Sequence, residues 1–364
     1  MLRRRDFVTG IFAASWAATA TSGFAQGWPA KTPLGLNTYC LRALRWHDIP
    51  LLDYTASLKL DAVFLQDSLD PGVMDPAHWK QVREHAAKLG FKKLETGGGA
   101  ILPKTADQFE NSVATLEKNI ERAKGLGSPI VRALIASDRA SLPPGPVEQH
   151  METTVKLLKR VRTRATDAGV KIAIENHKDL QAWETRIVIE QAGKDFVGSY
   201  LDTGNPVFVF ENPMTTLEHL GPYAVCLHLR DSVVYEHPQG IAVQWVPLGE
   251  GIVDFLALLA RARQIAPPDI AVYVKPITGR PAAILPYRDD GFWKTYPKAR
   301  ASELASFLAM AHKGKPYERP MVVEDLPGRK TPEAFIPAIQ HQQKEHMERS
   351  VAYAKQTLGL GLQS

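Results

Sequence analysis

The chain has 364 residues, 45% of them hydrophobic and 23% charged, with a formal net charge of +5. That is the composition of a soluble globular protein, long enough for one large barrel or two ordinary domains. Arg3, Arg4, Arg5 and Asp6 supply +2 of the charge, and the remaining +3 is too weak and dispersed to argue for a nucleic-acid partner.

Residues 1–25 read as a targeting segment rather than fold. Arg4-Arg5-Asp6-Phe7-Val8 has the twin-arginine form, an Ala-rich apolar run follows to about Ala20, and Gly23-Phe24-Ala25 offers a small-x-small cleavage site. The pattern predicts export through the twin-arginine route and a periplasmic mature protein. The apolar run is short for a membrane span and no later stretch is long enough, so no stable membrane insertion is expected after leader removal. The two cysteines, Cys40 and Cys226, sit in or beside predicted inner strands and are expected as buried thiols rather than a bridge.

Eight short strand-like runs follow in order: 34–39, 61–66, 91–95, 129–134, 171–175, 197–202, 224–229 and 270–275. Helical patterns lie between them at 49–59, 76–89, 105–126, 147–168, 181–192, 215–220 and 253–265, with 297–312 as the eighth helix. Gly90, Gly127 and Gly169 fall just past helix ends, where a left-handed residue is needed. Eight alternating units predict an α/β fold, a closed (β/α)8 TIM barrel over residues 33–312. Residues 313–364 form a C-terminal extension whose long helix, from about Thr331 to about Leu358, clamps onto the barrel or onto a partner subunit of a homo-oligomer.

The chemistry concentrates between residues 170 and 231. Three buried runs, VKIAIENHKD, VGSYLDTGNP and AVCLHLRDS, deliver Glu175, Asp202 and His228 at strand ends. The spacings of 27 and 26 residues match one strand-plus-helix unit each, which places the three side chains around one mouth of the barrel. Two carboxylates and an imidazole suit a divalent cation such as Mn, Mg, Zn or Co. His177 shares the inward parity of Glu175 and is assigned to substrate oxygens or proton transfer. Asn205, Arg230, Glu250 and Arg280 are candidate substrate contacts, and Asp231 is expected to orient the neighbouring His228. Tyr39, Gln66 and Glu95 end earlier strands and are further pocket candidates. Gly97-Gly98-Gly99 reads as a tight loop that could hold an anion.

IAIENH, YLDTGN and HLRDS followed by LGEGIVDF resemble, in order, the strand-five, strand-six and strand-seven motifs of the xylose isomerase-like TIM-barrel superfamily of sugar and sugar-phosphate isomerases and epimerases. The resemblance covers roughly residues 33–312. It implies a divalent metal on Glu175, Asp202 and His228, and a small sugar or polyol whose oxygens chelate it. The leader and the C-terminal helix resemble a group acting on 3-keto-glycosides.

One position departs from that pattern. Where the superfamily places a fourth ligand, a Glu, this chain has Lys275 in AVYVKPITG. Lys275 is then a catalytic acid/base or electrophile beside a three-ligand metal, or a substitute for the metal's charge in a metal-free site, or Glu250 completes the sphere instead. The reading that results is a metal-dependent isomerase, epimerase or lyase that abstracts a proton next to a carbonyl, with Glu175, His177 and Lys275 as catalytic groups. A metal-free or non-catalytic sugar-binding barrel is the alternative. A multi-zinc phosphodiesterase or endonuclease would need more His ligands at strand ends than the chain provides.

Overall fold

The computed structural model describes residues 32–66, 74–324, 326 and 328–362, so the leader expected at 1–25 lies outside the described residues. Eight parallel strands close a barrel: β1 (Leu34–Asn37), β2 (Ala62–Gln66), β3 (Lys93–Ala100), β4 (Ile130–Leu134), β5 (Lys171–Glu175), β6 (Val197–Asp202), β7 (Ala224–Leu229) and β10 (Ala271–Val274). β8 (Asp231–His237), β9 (Gly240–Val246) and β11 (Ala283–Leu285) form a separate antiparallel sheet. The helices are α1 (Asp48–Ser57), α2 (Pro76–Lys88), α3 (Phe109–Leu126), α4 (Val147–Arg160), α5 (Arg162–Ala168), α6 (Ala182–Ala192), α7 (Pro213–Leu220), α8 (Phe255–Ile265), α9 (Asp290–Trp293), α10 (Ala301–Ala311) and α11 (Ile336–Gln356).

Local chemistry sets these boundaries. Asp75 accepts a hydrogen bond from the Ala77 amide and Pro76 occupies the first turn of α2, where no backbone donor is needed. α3 buries Val113, Leu116, Ile120 and Ala123 on one stripe and stops at Gly127, whose φ of 74° is left-handed. The single helix expected over 147–168 breaks at Val161 into α4 and α5.

The strands' outward side chains, among them Leu36, Ile172, Leu227 and Val274, pack under the helices in one large core. The inward side chains Phe64, Ala173, Tyr200, Cys226 and Tyr273 fill the barrel itself. Both cysteines are buried and free, as expected.

The helix that closes the ring is not the one expected. Met347, Val351 and Ala354 of α11 join the main core with Leu34 and Val272, and Thr278 Oγ1 meets His346 Nδ1 at 2.7 Å. Helix α10 instead puts Phe307 and Ala311 into a second cluster with Val207, Phe210 and Val234. Its apolar face matches the hairpin sheet, which the sequence reading did not foresee. That hairpin turns at Pro238 and Gln239, and Gly240, the first residue of β9, has φ 149°. Among the described residues no helix is long and apolar enough to cross a membrane.

Candidate active site

The C-terminal ends of β4, β5, β6, β7 and β10 bring Arg132, Glu175, Asp202, Arg230 and Lys275 together, all buried. Lys275 Nζ lies 2.8 Å from Glu175 Oε1 and 3.1 Å from Asp202 Oδ2. Arg132 pairs through Nε with the other oxygen of Glu175. Arg230 reaches Asp202 Oδ2 at 3.1 Å and stacks over Trp245 at 4.4 Å. Asn205 joins the halves: its side-chain amide donates to Glu175 Oε1 at 3.0 Å and its carbonyl oxygen accepts from Arg230 at 3.0 Å. Asp202 Oδ1 accepts from the Gly204 and Asn205 amides at 2.9 and 3.1 Å.

Glycines make this crowding feasible. A Cβ on Gly97 would stand 2.9 Å from Arg132 Cβ, and one on Gly204 would stand 2.6 Å from Arg230 Cγ. Gly97-Gly98-Gly99 is part of β3, not a loop, and the Gly98 carbonyl accepts from Arg132 at 2.7 Å. Gly97 clears a path for Arg132, and the Gly98 carbonyl meets that cation.

Above the cluster a cavity of about 370 Å3 opens at the barrel mouth. Its lining includes Tyr39, Gln66, Arg132, His177, Arg230, Trp245, Lys275 and Arg280. His177 Nδ1 sits 2.5 Å from the Ser137 carbonyl oxygen, which can only accept, so Nδ1 carries the proton and Nε2 keeps its lone pair. Burial, helped by Arg132 and Lys275, pushes the imidazole down to about 3 despite Glu175. For Glu175, burial raises the pKa, but Arg132 and then Lys275 outweigh it and hold it well below the usual carboxylate range. Burial lowers Lys275, with Glu175 and Asp202 acting against it.

Several expectations are corrected. His228 lies beside Asp202 in the strand register, yet its ring stacks between Tyr200 at 3.8 Å and Tyr273 at 4.8 Å. Both its ring nitrogens lack a hydrogen-bond partner, and burial followed by Lys275 keeps it neutral. Glu250 does not line the mouth; it accepts from Tyr317 at 2.5 Å and pairs with Arg319 and Arg349 beside a separate outer cavity of about 520 Å3. Asp231 does not orient His228. It accepts from the amides of Ser232, Gly249, Gly251 and Val253 and so shapes the LGEGIVDF loop. Glu95 sits inside the barrel facing Tyr273, not at the mouth. Arg132 and Trp245 were not foreseen. An arginine inside IVRAL was the available signal for the first, and a PQG turn between two β-branched runs for the second.

The family model for the xylose isomerase-like TIM barrel matches residues 52–279. The chain belongs to that family. A crystal structure of D-psicose 3-epimerase superposes with a TM-score of 0.59 at 16% identity, covering 90% of this chain and 99% of that one. A sugar phosphate isomerase/epimerase from Parabacteroides distasonis gives 0.54 at 15% identity, over 95% and 98% of the two chains. The IolI protein, solved with a bound zinc atom, gives 0.54 at 17% identity, over 76% and 99%. Likeness at such identity is likeness of fold. By sequence, the uncharacterized protein YihM of Escherichia coli (strain K12) is 26% identical over 99 residues, which span 27% of this chain and 30% of that protein.

A divalent ion would find both expected carboxylates already engaged in this chain. Both oxygens of Glu175 are taken by Lys275, Asn205 and Arg132. Asp202 Oδ2 faces two cations at 3.1 Å, as charge contacts without a directed hydrogen bond. Three cationic side chains thus surround two carboxylates, and adding a dication within about 4 Å of each would cost several kcal/mol per pair. Among the described residues no three His, Cys, Asp or Glu side chains converge as a metal-holding group. The residues present do not fit the metal centre that the sequence motifs led one to expect.

Proposed function

We propose that this barrel is an isomerase- or epimerase-type enzyme that acts on a sugar derivative by moving a proton next to a carbonyl, with elimination across the same carbon as the variant outcome. The observation that carries this reading is the pairing of a neutral imidazole with a buried ammonium in one cavity: His177 and Lys275 both line it. His177 Nε2 takes the proton from the carbon beside the carbonyl. The electron pair moves into the carbonyl oxygen, and Lys275, flanked by Arg132 and Arg230, holds the negative charge that develops there. Transfer of the adjacent hydroxyl proton to the former carbonyl oxygen, with delivery of the abstracted proton to the former carbonyl carbon, gives the isomer; delivery of a water proton to the opposite face of the original carbon, while His177 keeps the proton it took, gives the epimer. Glu175 is a poor base because both its oxygens are occupied; its part is to fix Lys275 and Arg132.

In this reading Lys275 supplies the positive charge that a metal would otherwise bring. Oxidised glycosides are included in the substrate class on the strength of the leader and C-terminal helix. Export through the twin-arginine route is part of the same proposal, tested by replacing Arg4 and Arg5 with Lys and following the mature protein to the periplasm.

The test is deuterium exchange. Chelator-treated protein is mixed in heavy water with a panel of keto-sugars and oxidised glycosides, and proton spectra follow the hydrogen next to the carbonyl. Exchange that survives the chelator and falls on the order of a hundredfold in His177→Gln supports the reading. Exchange only after a metal is added, or none with any sugar, sinks it. A sugar that binds without exchanging would favour the non-catalytic barrel, which the full engagement of Glu175 makes the second reading.

A further inference from the structure

The polar cavity does not end at its rim. A second cavity of about 430 Å3 adjoins it, and the two share Ala100 and Ser137 as lining residues. The second is walled mainly by Leu102, Ile135, Ala136, Pro143 and Pro144. Cavities of roughly 300–1,000 Å3 suit small-molecule ligands, so the polar one alone has room for a sugar and the other is surplus.

The walls of the second cavity are held in place from outside. Ile101 and Leu102 continue the β3–β4 pairing past the barrel through bonds to the Leu134 and Ile135 carbonyls at 2.9 and 3.2 Å. The buried carboxylate of Asp179 accepts from the Ala136 amide at 2.7 Å. Arg139 forms a two-pronged pair with Glu184 at 2.8 and 3.1 Å, and Asp138 and Ser141 cap each other. An apolar wall that is braced in this way cannot collapse onto itself when empty, and it lowers the ordering cost when a ligand enters. The shared wall is also placed at the chemistry, since the Ser137 carbonyl is the group that fixes His177.

We propose that the second cavity is a subsite for an apolar group carried on the sugar, so that the substrate is an oxidised glycoside, with a ketone on its ring and a hydrophobic aglycone, rather than a free monosaccharide. This inference rests on the sugar reading above. The sugar occupies the cationic cavity over Lys275, and its substituent passes across Ser137 to lie on Leu102, Ile135 and Pro143.

Calorimetry with matched methyl and phenyl glycosides of the common hexoses and xylose, each oxidised at one ring hydroxyl to a ketone, tests it. For the sugar that binds, the phenyl glycoside is expected to bind at least tenfold tighter than the methyl one. Leu102→Asp should bring the phenyl affinity to within twofold of the methyl affinity and leave the latter unchanged. Pro144→Glu, on the exposed rim, repeats the test should the first variant fold poorly. Equal affinities in the unmodified protein, or a phenyl preference that survives both substitutions, would overturn the subsite while leaving the sugar reading intact. Failure of every pair to bind while a free keto-sugar exchanges would overturn the subsite alone; failure of both would overturn the sugar reading and the subsite together.

Discussion

Nζ of Lys275 lies 2.8 Å from Oε1 of Glu175, and 3.1 Å from Oδ2 of Asp202 on the neighbouring side of the mouth. One ammonium therefore spans the two carboxylates that the strand spacing had suggested as metal ligands. Replacing it with Met would leave two buried carboxylates sharing Arg132 and Arg230. The loss of one partner from a buried ion cluster costs about 3–5 kcal/mol, which urea unfolding at neutral pH would register. The unmodified protein should show no rise in melting temperature with millimolar Mn, Mg, Zn or Co, and elemental analysis after desalting should find no stoichiometric metal. One equivalent of tightly held metal would refute this account of the mouth.

Gly97 and Gly99 should differ sharply in their tolerance of the same change. A methyl group on Gly97 would meet Arg132 at 2.9 Å and Phe64 at 3.2 Å, whereas one on Gly99 would meet nothing within 4 Å. Gly97→Ala should cost about 1–3 kcal/mol and displace Arg132 from Glu175. Gly99→Ala should stay within about 0.5 kcal/mol of the parent. Thermal unfolding of the two variants side by side gives the comparison.

His177 should remain neutral throughout the physiological range. Its pKa, pushed down to about 3 from 6.5, means that the folded protein resists a proton that the unfolded chain accepts. Its contribution to stability is complete above about pH 6.5 and is lost as the pH falls toward 3. Nitrogen-15 spectra should show a neutral ring with the proton on Nδ1 from pH 5 to 8. A ring that titrates near 6.5 would show that burial does not hold the imidazole neutral below that pH.

Glu95 gives the opposite dependence. Its carboxylate is fully buried in the barrel without completing a hydrogen bond, although the Tyr273 hydroxyl faces it, and burial pushes it up to about 7. The fold favours the protonated acid, so this contribution is present below about pH 4.5 and lost as the pH rises through 7. A shift of that size corresponds to about 3 kcal/mol at most. Glu95→Gln should flatten the stability profile between pH 5 and 8; an unchanged profile would show that Glu95 ionises normally.

Asp231 organises a loop and should behave as such. Four backbone amides converge on its carboxylate at 2.9 to 3.2 Å. Asp231→Ala should destabilise by on the order of 3 kcal/mol, and Asp231→Asn by less, because one acceptor oxygen remains. Proteolysis of residues 247–253 should quicken in the alanine variant.

The barrel was legible along the chain because its signals are local. Short apolar runs at one repeat length, left-handed glycines after helices and cap residues before them are set by neighbours in sequence, and all eight expected barrel strands are present, although β3 runs on to Ala100, past its expected end at residue 95. The mouth was legible in part: Glu175, His177, Asp202, Asn205, Arg230 and Lys275 do gather there. What those side chains do to one another was decided only in three dimensions. Strand parity says that His228 points inward, but whether it reaches the carboxylates or stacks between Tyr200 and Tyr273 depends on the volumes of rings contributed by distant strands. Residue spacing brings Lys275 to the mouth, but its bond to Glu175 joins residues 100 positions apart. The choice of α11 over α10 to close the ring likewise turned on which apolar face matched the barrel and which matched the hairpin sheet. Local periodicity determines the elements; charge balance and packing among residues far apart in sequence determine the site.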